Sequence, residues 1–92
     1  MEKSQVESMF IDILVSSPGV LRICKDPKTD KFKVKAEYTN RRWTLQASII
    51  ILKNANVKNI MKSIGALSNY TFAKSKVKYK KLEIVIEGIE NE

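Results

Sequence analysis

KFKVKAEYTNRRWTLQASIII, Lys31 to Ile51, decides the fold. Phe32, Val34, Ala36 and Tyr38 alternate with Lys31, Lys33, Lys35 and Glu37. After a short turn, Trp43, Leu45, Ala47, Ile49 and Ile51 alternate with Thr44, Gln46, Ser48 and Ile50. Successive strand side chains point to opposite faces, so each run has one apolar and one largely polar face. Pairing Tyr38 with Trp43 across Thr39-Asn40-Arg41-Arg42 sets Ala36 against Leu45, Val34 against Ala47 and Phe32 against Ile49. Both apolar sets then lie on one side, as register demands. The stretch is expected to be a hairpin with a lysine-rich back and two arginines at its tip.

Upstream, Val20 to Lys25 reads as a short strand with Leu21 and Ile23 on the core face, followed by the polar turn Asp26-Pro27-Lys28-Thr29-Asp30. Ile23 then falls opposite Val34 and Leu21 opposite Ala36, so residues 20–52 are expected to form a three-stranded antiparallel meander. Residues 4–17 read as an amphipathic helix. Ser4 and Glu7 have the spacing of a capping box, and Val6, Met9, Phe10, Ile13 and Leu14 form one stripe. Ser16-Ser17-Pro18-Gly19 ends it.

Downstream, Asn54 or Asn56 caps a second helix over 56–67, with Val57, Ile60, Met61, Ile64 and Leu67 as its stripe and Gly65 at or near its end. Residues 70–89 read as a second hairpin turning at Lys80-Lys81, and 90–92 as a frayed acidic tail. The expected architecture is one α+β domain, an antiparallel β-sheet covered by two helices, in the order αβββαββ. In element order the αβββα portion is similar to the double-stranded RNA-binding domain and to small RNA-binding subunits of the signal recognition particle. It lacks the GPxH-type loop and basic final helix that carry RNA contacts in the former.

The chain has 92 residues and a net charge of +7. Between Glu37 and Glu83 there is no acidic residue, while ten lysines and arginines occur there. A field of one sign costs self-repulsion unless a partner relieves it, and a strongly basic domain is a footprint of nucleic-acid binding. Arg41 and Arg42 at the hairpin tip, Lys33 and Lys35 on the back of the sheet, and a comb of Lys74, Lys76, Lys78, Lys80 and Lys81 are the candidate phosphate contacts. Lysines at a spacing of two on a strand point the same way, about 7 Å apart, close to the spacing of phosphates. Exposed Tyr38, Phe72 or Tyr79 would add base stacking. Lysine on an edge strand also serves simply to block aggregation.

Chemistry is otherwise scarce. Histidine is absent, Cys24 is the single cysteine, and no phosphate-loop or nucleophile-elbow pattern occurs. The expectation is therefore a small basic nucleic-acid-binding protein, not an enzyme, with no cofactor and no metal. The alternative is an interaction subunit or inhibitor docking an acidic protein through the same basic face. Ile50 and Leu52, stranded on the outer face, suggest a homodimer. No apolar run approaches a membrane span and the N-terminus is not a signal peptide, which implies a cytoplasmic protein.

Overall fold

The computed structural model describes residues 2–91. Its elements are α1 (Lys3–Ser16), β1 (Val20–Ile23), β2 (Val34–Thr39), β3 (Arg42–Leu52), α2 (Val57–Lys74) and β4 (Tyr79–Glu90). The α+β class, with two helices packed against a sheet, is as the sequence implies. The order agrees through α2, and one strand stands where the second hairpin was expected.

β3 is the axis of the sheet. β2 pairs with it antiparallel in the expected register: Tyr38 opposes Trp43, Ala36 opposes Leu45 and Val34 opposes Ala47. The turn is the two residues Asn40 and Arg41, both left-handed at φ 53° and 65°, which suits the twist of a tight hairpin. Their side chains tolerate that region at a modest cost.

β1 corrects the meander. It pairs with β3, not β2: Ile23 opposes Ile49 and Val20 opposes Ile51, with a bulge between Val20 and Arg22. β1 and β2 therefore lie end to end along one edge of β3. Between them the chain makes an excursion in which Lys25 and Phe32 bridge each other, so Phe32 does not meet Ile49. The Asp26 side chain accepts from the Lys28 amide at 2.8 Å and Asp30 takes φ 56°, which closes a local turn before the chain can form a longer pairing.

The second correction concerns residues 70–89. α2 runs through to Lys74, burying Ile60, Ile64, Ser68 and Phe72 at four-residue spacing. No proline interrupts it, and Gly65 lies in its interior rather than at its end. Asn56 caps the start, accepting from the Asn59 amide at 3.2 Å. A helix of this length carries the chain back along β3, so β4 enters as a single strand parallel to β3. A β-strand, a crossover helix and a parallel strand form the usual unit for such a return. At the other end, Glu2 and Gln5 cap α1 rather than Ser4 and Glu7. Of the tail expected to fray, Glu90 ends β4 and Glu92 lies outside the described residues.

The core sits between the helices and one sheet face. Val6, Phe10, Ile13 and Leu14 of α1 and the α2 stripe meet Trp43, Leu45, Ala47, Ile49 and Ile51 of β3. Trp43 is 8% exposed, in agreement with its expected core role.

Candidate functional site

The outer face of the sheet is where Lys33 and Lys35 were expected to present a basic surface. Parallel β4 changes that. It lays Glu83, Glu87 and Glu90 across the same face, where three ion pairs join one already within β2. Arg22 meets Glu90 at 2.6 Å, Lys35 meets Glu37 at 2.8 Å, Lys81 meets Glu83 at 3.1 Å and Lys33 meets Glu87 at 3.4 Å. All four carboxyls are held below their ordinary range. Hydrogen bonding does most of this: from Lys35 to Glu37, from Gln46 and then Lys81 to Glu83, from Ser48 to Glu87, and from Arg22 to Glu90. Lys35 and Arg22 are raised by the same contacts. Two of these partners are 54 and 68 residues apart in sequence, so the neutralisation is invisible before the strand order is known.

The lysine comb does not form. Lys74 ends α2, Lys76 is left-handed at φ 58°, Lys78 precedes β4, and Lys80 and Lys81 begin it. Only the last two lie on a strand. What the structure does bring together is the end of the sheet beside the hairpin tip. An open groove of about 750 Å³ is lined there by Tyr38, Arg41, Trp43, Lys76 and Lys78, among others, and Arg42 lines its neighbour. Among the described residues Arg41, Arg42, Lys74, Lys76, Lys78 and Lys80 form no ion pair. Of the candidate stacking aromatics, Phe72 is fully buried. Tyr79 is half-buried, its ring edge-on to Phe72 at 5.5 Å and its hydroxyl bonded to the Asn69 side chain. Tyr38 is exposed but tilts against Trp43 at 5.0 Å.

The outward apolar patch also differs from expectation. Ile50 is only 9% exposed, and its Cδ1 lies 3.1 Å from where a Cβ on Gly88 would be. The chain covers Ile50 itself and leaves Leu52 half-buried.

The feature that sequence reasoning missed is the free edge of β4. One edge of this 12-residue strand pairs with β3 and the other has no strand beside it. None of its residues is buried, and Val85 and Ile89 are more than half exposed. The opposite edge of the sheet is treated differently: Glu7 on α1 accepts from the Ala36 amide of β2 at 3.2 Å. Among the described residues no such bond occupies the outward backbone of β4. The exposed apolar residues Val85 and Ile89 were the available signal, but they fell in the second arm of a supposed hairpin whose first arm would have paired with it.

No protein-family model and no curated protein matches the chain by sequence. Solved structures do match in shape. A MamM CTD variant superimposes with a TM-score of 0.64 and 15% identity, covering 97% of this chain and all of that one. A MamM CTD described as a nickel form and another described as a copper form each give a TM-score of 0.62 at 15% identity, covering 95% of this chain. The likeness is one of fold. These matches overturn the nucleic-acid reading, and with it the docking of an acidic protein through the same face. The solved structures named above are MamM CTDs, and Lys33 and Lys35 on the sheet face that reading relied on are ion-paired.

Nickel and copper belong to those other chains. This sequence contains no histidine, and among the described residues no three Cys, Asp or Glu side chains converge. Glu37, Glu83, Glu87 and Glu90 are each engaged by a cation. Burial, and then the negative charge of Glu87, push the Cys24 thiol up and away from the thiolate that a soft metal would need. The donor set within one chain does not fit such a metal.

Proposed function

We propose that this protein is a non-catalytic assembly domain of the cytoplasm that works as a homodimer. The carrying observation is the unpaired β4 edge, 12 residues long with no residue buried. An open strand edge is a template for another chain unless it is covered, short or blocked by charge. A second copy is always present at matching concentration, and two-fold pairing of identical surfaces is the commonest route to an oligomer. The fold likeness to MamM CTDs extends over nearly the whole of both chains. No helix of the described residues is long and apolar enough to cross a membrane, which is consistent with a cytoplasmic domain.

Light scattering across a concentration series tests this. The mass should rise from that of one chain towards twice that value within the micromolar range. A single-chain mass at several hundred micromolar would contradict the proposal.

A further inference from the structure

We infer that the second copy docks on β4 itself, antiparallel, with a two-fold axis perpendicular to the sheet through Ile84, so that the two sheets become one. This rests on the homodimer reading above and specifies its surface.

The argument begins with what the strand displays. Leu82, Ile84 and Ile86 project towards the helices, yet each remains only partly buried, because the sheet ends at this strand. Lys81, Glu83, Val85 and Glu87 lie on the other face. A perpendicular two-fold axis keeps both helix layers on one side, and it requires that a residue of the strand meet its own copy. In antiparallel pairs, opposed residues share a face and touch directly.

Charge then separates an axis at Ile84 from one at either neighbouring residue. With Ile84 on the axis, Leu82 opposes Ile86 of the second copy, and Lys81 opposes Glu87 of the second copy. Each contact occurs twice. Moving the axis to Glu83 sets that carboxylate against its own copy. Moving it to Val85 sets Glu83 against Glu87 of the second copy, and like charges directly opposite are unfavourable. The ladder from Leu82 to Ile86 lies between the two irregularities in β4 pairing, which fall at Lys80 and Glu87, so the Lys81 and Glu87 contacts close its ends. β2 offers no equal site, since Glu7 already occupies its Ala36 amide.

Cysteine cross-linking tests the register in a Cys24→Ser background, with Trp43 fluorescence as the check on folding. Ile84→Cys should form a disulfide-linked dimer on mild oxidation. Ile89→Cys should not, because five residues from the axis places the two copies about 33 Å apart along the strands. Charge exchange gives a second reading: Lys81→Glu or Glu87→Lys alone should weaken self-association several-fold, and the two together should restore it. A dimer that cross-links through Ile89→Cys but not Ile84→Cys overturns the register and leaves the homodimer standing. So does a double exchange that fails to recover. A protein that stays monomeric throughout overturns both.

Discussion

β3 and β4 are neighbours, parallel, and nearly equal in length at 11 and 12 residues. One is the centre of the molecule and the other has no buried residue. β3 has partners on both edges and helices over one face, so Leu45, Ile49 and Ile51 are almost wholly removed from water. β4 has one partner and a ragged apolar face. Both sequences alternate apolar and polar residues in the same way. Alternation reports which face meets a core; it is silent on how many edges are filled.

The largest expected effect separates the two strands directly. Leu45→Ala or Ile49→Ala, at positions with no exposure, should cost about 2–5 kcal/mol in urea unfolding. Ile84→Ala, half-buried on β4, should cost the isolated chain only about 1 kcal/mol. Equal losses would mean that β4 is as deeply packed as β3.

Next comes the joint that fixes the end of β3. The Gly19 carbonyl accepts from the Leu52 amide, its φ is +88°, and a Cβ there would lie 2.9 Å from Ile60 Cγ1. Gly19→Ala should destabilise by more than about 1 kcal/mol, measured in the same way. An unchanged midpoint would place the chain differently at this joint.

Gly65 sharpens the comparison, because the length of α2 decides whether β4 returns parallel. In a continuous helix with nothing within 4 Å, Gly65→Ala should stabilise by about 0.5–1 kcal/mol. If Gly65 were instead a left-handed helix cap, the same change would destabilise.

The smallest effect is in acid. Glu37, Glu83, Glu87 and Glu90 have folded values below their ordinary range, so their stabilisation is complete above that range. It is lost as pH falls through the lowered values. Three are exposed and Glu83 is half-buried, so the loss should be slight. Lys33→Ala, which removes the ion-pair partner of Glu87 but leaves its Ser48 hydrogen bond, should make the urea midpoint slightly less sensitive to acid. An acid dependence that does not change would show that the pair contributes nothing.

The hairpin around Asn40 and Arg41 was legible because its registers are local: one slip would turn Ala36 and Leu45 outward. The α1 stripe and most of the α2 stripe were legible for the same reason. The partner of β1 was not, since Ile23 suits Val34 and Ile49 equally well and only the folded 24–33 excursion decides between them. The run Tyr70 to Lys74 fits a strand in its alternation, yet Phe72 lies four residues beyond Ser68 and completes the buried face of a helix. With β4 misread, the ion pairs from Lys33 to Glu87 and from Arg22 to Glu90 were out of reach. A sheet face that is in fact ion-paired at Arg22, Lys33 and Lys35 therefore looked wholly basic.

Amide hydrogen exchange on β4, measured at low and high protein concentration, tests the central claim most directly. In dilute solution the amides facing β3 should be protected and those on the outward edge should exchange quickly. At concentrations where the dimer forms, the outward amides between Leu82 and Ile86 should slow while β3 is unchanged. Outward amides that exchange quickly at every concentration would contradict the account.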